Sequence, residues 1–109
     1  MQYFETIFLE PAKEFIAVLD PKAARKILYN MRLAEQTNDP KLFKKLQDDI
    51  WEFRIRYMGK QIRLLAFWDK TDNGHTLVIA THGFIKKTDK VRDNEIERAK
   101  NIRNKYFNT

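Results

Sequence analysis

The sequence predicts one α+β domain built around an antiparallel sheet of three consecutive strands. Two observations lead to this prediction. Residues 50–88 alternate apolar and polar side chains with the period of a strand, and the flanking segments repeat apolar residues at helical spacing. The chain has 109 residues without a repeat or linker, so we expect a single domain over residues 1–109 with the order β-α-α-β-β-β-α.

The N-terminal part supplies a strand and two helices, which we expect to pack on one face of the sheet. Residues 3–9 are rich in strand formers, and residues 11–19 begin with proline and repeat apolar side chains at helical spacing. Asp20-Pro21 provides the N-cap and first residue of a second helix, which extends to about Gln36. A turn and a short helical segment are predicted in residues 37–46.

The alternation assigns the two faces of the first two sheet strands. A two-residue loop at Met58-Gly59 pairs Phe53 with Leu64 on an apolar face and Arg54 with Arg63 on the opposite face. A three-residue loop would mix apolar and polar side chains on both faces. The pattern therefore favours the two-residue loop.

The second hairpin and the last helix complete the fold. A turn through residues 69–74 would pair Trp68 with His75 and Gln61 with His82, although a slip of one residue would move His82 to the other face. We assign no role to His75. The last helix is predicted from Asp93 to about Tyr106, and its late cations suit the negative end of the helix dipole.

One face of the predicted sheet, which we call the arginine face, gathers cations. Its members are Arg54, Arg56, Arg63 and His82. A guanidinium binds phosphate with two parallel hydrogen bonds, so this face suits a phosphate-bearing partner. The alternative is that Glu52 or an acidic helix residue neutralises the arginines. His82 is the one side chain of the group suited to proton transfer near neutral pH, unless it is a core histidine with a backbone partner.

The net charge of +6 lies entirely in residues 51–109, because residues 1–50 carry as many basic as acidic side chains. A basic half indicates a polyanionic partner, although a solvated basic surface is an equal alternative. The sequence has no cysteine, no basic apolar leader and no apolar run long enough to span a bilayer, so we expect a cytoplasmic protein without a membrane partner.

Further residues are candidates for contact with RNA. Lys60, Lys86 and Lys87 would contact phosphates, or else lie in solvated loops. Phe84 would stack on an unpaired base, or else end a strand in the core. The sequence has no glycine-rich phosphate loop and no cluster of His, Asp and Glu, so we expect neither a small-molecule cofactor nor a metal.

Three motifs in order resemble a known family: WEFRIRYMGKQIRLLAFW, LVIATHGFIKKT and NEIERAKNIRNKY. The chain is similar to RelE/HigB-type toxins of type II toxin–antitoxin modules, and more narrowly to the phage-derived HigB-like branch. The resemblance covers residues 45–106 in motif and the whole chain in element order. Phe53 replaces the usual leucine, and Ala66-Phe67 replaces tyrosine-phenylalanine, so no catalytic tyrosine is expected there.

The resemblance implies a RelE-like fold and a ribosome-dependent endoribonuclease that cleaves mRNA by attack of the 2′-hydroxyl on the adjacent phosphate. It implies a helix-turn-helix antitoxin, HigA-like, as partner. By motif, Arg63 would stabilise the transition state with support from Arg54 and Arg56, and His82 would be the general acid or base. Two alternatives remain: a ParE-like DNA gyrase inhibitor without nuclease activity, and a catalytically inactive RNA-binding module.

Overall fold

The fold, described by a computed structural model over residues 2–71 and 76–108, is a five-stranded sheet with helices on both faces. The strand order is β1-β5-β4-β3-β2, with β1 parallel to β5 and the other neighbours antiparallel. The elements are β1 Glu5–Phe8, α1 Glu10–Ala17, α2 Pro21–Thr37, β2 Phe43–Gln47, β3 Ile50–Tyr57, β4 Lys60–Asp69, β5 Leu77–Lys86 and α3 Asp93–Phe107. The α+β class is confirmed.

The helical segment predicted before the sheet is wrong, because these residues form the edge strand β2. The Asp39 side chain accepts a hydrogen bond from the Lys41 amide at 2.9 Å and starts a turn instead of a helix. Phe43 then stacks on Phe53 with ring centroids 4.4 Å apart, and on Trp51 at 5.1 Å. Aromatic burial across the strand pair outweighs the local helical pattern, and the observed order is β-α-α-β-β-β-β-α.

The second helix begins as predicted. The Asp20 side chain accepts hydrogen bonds from the amides of Lys22 at 2.8 Å and Ala23 at 3.1 Å, and Pro21 is the first helical residue. The preceding helix is shorter than predicted and ends at Ala17. Both helices contact the same sheet face as predicted, α1 mainly over β5 and α2 over β3.

The first sheet hairpin has the predicted register. Phe53 pairs with Leu64 and Arg54 pairs with Arg63, across a turn in which Met58 and Gly59 both have positive φ. This geometry is typical of the two-residue hairpin loop that the pattern favours.

The predicted register of the second hairpin is wrong. Trp68 pairs with Val78 rather than with His75, and Gln61 pairs with Lys86 rather than with His82. Residues 72–75, which contain part of the predicted turn and His75, lie outside the described residues.

A β-bulge in β5 places His82 on the predicted sheet face although the predicted register is wrong. The register shifts at Thr81, whose hydroxyl lies 3.1 Å from the Leu65 carbonyl oxygen. Ala80 therefore faces α1 and α2, while His82 pairs with Leu65 on the arginine face.

The last helix, α3, covers one end of the arginine face. It begins at Asp93, as predicted, with Arg92 as its N-cap, and buries Ile96 and Ala99 against β4 and β5. Its far end is fixed to the sheet by the Tyr106 hydroxyl, which donates to Asp69 at 2.6 Å. Within the two described ranges, no helix is long and apolar enough to cross a membrane.

Candidate functional site

An open cleft lies at the end of the arginine face that α3 leaves uncovered. Its volume is about 320 Å³, and we call it the arginine cleft. Its lining side chains are Lys41, Arg54, Ile55, Arg56, Gln61 and Arg63. The antiparallel pairing of β3 with β4 puts Arg54 opposite Arg63 and Arg56 opposite Gln61, while Lys41 reaches the cleft from the turn before β2.

Arg63 is the fixed cation of this cleft. The residue is only 3% exposed; its Nη1 donates to the Ile62 carbonyl at 3.0 Å and its Nη2 donates to the Gln61 side chain at 2.9 Å. Burial lowers the pKa of Arg63, with Glu52 opposing the shift and the neighbouring arginines adding to it. A guanidinium stays protonated through such a shift and has five N–H donors, so these bonds leave donors free for a ligand.

Glu52 neutralises part of the positive charge of the arginines, which is one of the alternatives considered from the sequence. It is buried, and its carboxylate lies 3.1 Å from Arg63 Nε and 3.9 Å from Arg54 Nε. Both distances are those of ion pairs, but neither Nε makes a well-aligned hydrogen bond among the described residues. Four cations line the cleft beside this one carboxylate, which leaves a net charge of +3 for an anionic ligand.

Arg54 and Arg56 are the adjustable cations. The Arg54 side chain is 34% exposed and Arg56 is exposed at the rim. A ligand that enters the cleft would therefore meet one rigid guanidinium and two that can move toward it.

His82 is on the arginine face but outside the arginine cleft. It is 1% exposed and lies beneath the first turns of α3, where its Nε2 is 3.0 Å from Glu95 Oε1 and its Nδ1 is 3.0 Å from the Thr81 hydroxyl oxygen. Burial lowers the pKa of His82, the Glu95 carboxylate opposes this, and Arg98 adds to it. Both ring nitrogens are engaged within the protein, so the general acid–base role stays a prediction.

The candidate RNA contacts extend the basic surface along β5. Phe84 pairs with Arg63 and is half-buried against the core beneath α3. Lys60, Lys86 and Lys87 line an open groove of about 540 Å³ beside the β3–β4 hairpin. These residues adjoin the arginine cleft because Lys86 pairs with Gln61, but their contact with RNA stays a prediction.

Sequence reasoning missed Lys41 as a cleft residue. The wrong helical segment hid it, because only the turn and edge strand that replace this segment bring Lys41 beside Arg54. The backbone contact that holds the turn is the amide of Arg54, which donates to the Leu42 carbonyl at 2.8 Å. No signal short of the strand β2 itself would have placed Lys41 there.

Residues 14–104 match the family described as "Phage derived protein Gp49-like (DUF891)". The chain belongs to this family. Because Gp49-like proteins are a RelE/HigB-like toxin family, the match confirms the resemblance seen in the three motifs.

The fold of this Gp49-like toxin is shared with a solved structure. A chain of the toxin–antitoxin complex RelBE2 from Mycobacterium tuberculosis superposes with a TM-score of 0.53 and 19% identity. The alignment covers 79% of this chain and 100% of that chain, and it confirms the RelE-like fold. No curated protein matches the sequence.

Proposed function

We propose that this RelE-type toxin is an endoribonuclease that cleaves mRNA on the ribosome and is neutralised by a helix-turn-helix antitoxin. The observation that carries the proposal is the arginine cleft, an open basin with a net charge of +3 floored by a buried, fixed guanidinium. Such a site fits a phosphodiester. The Gp49-like family of the chain supports a role as a toxin. A cytoplasmic location follows from the proposed substrate.

The cleft supplies what RNA cleavage by its own 2′-hydroxyl requires most. The attack produces a phosphorane with an additional negative charge, which preorganised donors stabilise by about 3–4 kcal/mol each. Arg63 would meet a nonbridging oxygen with its remaining N–H groups, and Arg54 and Arg56 would close on the others. This step uses the chain's own cations and needs no metal.

Proton transfer would require His82 to exchange its contact with Glu95 for one with the substrate. His82 would serve as general acid or base only after Glu95 releases its Nε2, because a base must come within about 3 Å of the atom that carries the proton. Lys60, Lys86 and Lys87 would hold flanking phosphates, and Phe84 would stack on a neighbouring base.

A second candidate function is favoured by the burial of His82. A toxin that binds RNA in the arginine cleft but lacks an accessible acid or base would block translation without cutting. This inactive RNA-binding module would protect the bound mRNA segment and leave its length unchanged.

The test is a reconstituted cleavage assay with ribosomes and a defined mRNA, read by primer extension. The unaltered protein should cut the mRNA only when ribosomes are present. The double variant Arg54→Gln/Arg56→Gln should cut at least about 100-fold more slowly, since it loses two charged donors. Lys13→Gln/Lys105→Gln removes the same charge from exposed positions on α1 and α3 and should cut normally. Intact mRNA with the unaltered protein would refute the nuclease.

A further inference from the structure

The outer face of α2 is a second cationic surface, separate from the arginine cleft. Its four cations are all exposed: Lys22, Arg25, Lys26 and Arg32. At 100° per residue they lie within an arc of about 120°, opposite the buried stripe that contacts the sheet. Tyr29, 64% exposed, lies at the centre of the arc. We call this surface the α2 face.

The cations of the α2 face form no ion pair within the part of the chain that the structure describes. Among residues 2–71 and 76–108, no carboxylate is within ion-pair distance of any of them, whereas Lys100 and Arg103 of α3 lie 3.2 Å from Asp48 and 3.7 Å from Asp49. The one carboxylate within α2, that of Glu35, accepts a hydrogen bond from the Thr6 amide at 2.9 Å on the other side of the helix.

Their placement also works against the helix that carries them. The first turn of α2 has no acidic residue and its last turn no basic one, so the charges oppose the helix dipole apart from the N-cap of Asp20. Lys22 faces Arg25 and Lys26 at the three- and four-residue spacings at which like charges repel. In α3 the first turn holds Asp93 and Glu95 and the last holds Lys105, which suits the dipole. The stability of α2 thus gives no reason for its charges, while an anionic partner does.

We propose that the α2 face binds backbone phosphates of ribosomal RNA, as a docking contact distinct from the arginine cleft. The four cations span about 15 Å along the helix, enough for several phosphates, and arginine forks grip phosphate bidentately. Tyr29 adds a flat side chain among them that can pack on a ribose or an unpaired base. This inference rests on the proposed function, since it names the RNA that would hold the toxin during cleavage.

The position of the α2 face makes folded RNA the fitting occupant. α2 packs on the sheet face opposite the arginine face, so the two cationic surfaces lie on opposite sides of the sheet. A short RNA segment bound in the cleft therefore contacts only one of the two surfaces. A partner whose RNA surrounds the protein on both sides can.

The test is co-sedimentation with 30S ribosomal subunits between 50 and 200 mM salt, roughly the range over which phosphate contacts weaken most. The exposed variant Arg25→Gln/Arg32→Gln should bind at least about tenfold more weakly and lower the slope of log K against log salt by about two. The control Lys13→Gln/Lys105→Gln, with the same change of charge, should keep both values of the unaltered protein. In cleavage assays the α2 variant should need more ribosomes for half-maximal rate and reach the same maximal rate.

The outcomes separate this inference from the nuclease. Subunit binding that depends on the α2 face without any cleavage would sustain the inference and refute the nuclease. Equal affinity and slope in the α2 variant and the control would overturn the inference whatever the cleavage result, as would a lack of binding by the unaltered protein. A variant that binds RNA normally but escapes neutralisation by the antitoxin would also overturn it and assign the α2 face to that protein partner.

Discussion

The arginine face has an open end and a covered end, although both lie on the same face of one sheet. At the open end Arg54, Arg56 and Arg63 line an open cleft, and at the covered end His82 is buried beneath α3 with both ring nitrogens engaged. A side chain's position on a sheet face therefore does not determine whether it can reach a substrate. The helix that packs over that face determines its accessibility, and α3 covers His82 but not the arginine cleft.

The largest effect is expected at the floor of the open end. Arg63→Met leaves the Glu52 carboxylate buried without its closest cation, which should cost about 3–5 kcal/mol of unfolding free energy. The double variant Arg63→Met/Glu52→Gln removes the orphan charge and should regain most of that stability. Urea denaturation measures both values.

The same pair of variants separates structure from chemistry. If Arg63 stabilises the transition state, the double variant should stay at least about 100-fold slower in mRNA cleavage despite its restored stability. Cleavage that returns along with stability would mean that Arg63 only maintains the fold.

The covered end should respond to pH, whereas the open end should not. Burial lowers the pKa of His82 below its ordinary value of 6.5, so below that pH the unfolded chain takes up a proton that the folded chain resists. The contribution of His82 to the free energy of unfolding is therefore fully present above about pH 6.5. It should fall on acidification, by at most about 1.4 kcal/mol per pH unit. Urea denaturation from pH 8 to pH 5 gives the slope.

The variant His82→Gln is the control for this pH dependence. It keeps a polar side chain beneath Glu95 and should flatten the slope between pH 6.5 and pH 5, while Arg56→Gln at the open end should leave it unchanged. A variant with the slope of the unaltered protein would mean that other groups produce the pH dependence.

The two ends also differ in how far the sequence predicts them. Arg54 opposite Arg63 follows from strict alternation and a two-residue turn, so the open end could be placed from pattern alone. The surroundings of His82 depend on a bulge at Thr81, which the alternation of apolar Val78 and Ala80 does not reveal. The contact with Glu95 depends on the docking of a distant helix, and no local pattern encodes it.

The prediction of a helical segment in place of the edge strand β2 was wrong for a related reason. Residues 43–47 become a strand because Phe43 finds Phe53 and Trp51 across the pair, and this is a tertiary contact that overrides local propensity. Because the prediction lacked that strand, it also did not place Lys41 in the arginine cleft.

The smallest effect is expected at the contact that holds the C-terminal end of α3 on the sheet. The Tyr106 hydroxyl donates to Asp69 at 2.6 Å, and this bond raises the pKa of Tyr106 to about 12. Tyr106→Phe should therefore cost about 1 kcal/mol and loosen the C-terminal turn of α3. Hydrogen exchange should report faster exchange in that turn and unchanged protection in β3 and β4 beneath the cleft. Equal loss of protection at both ends would mean that α3 and the strands beneath the arginine cleft unfold as one unit. The open and covered ends would then not differ in local stability.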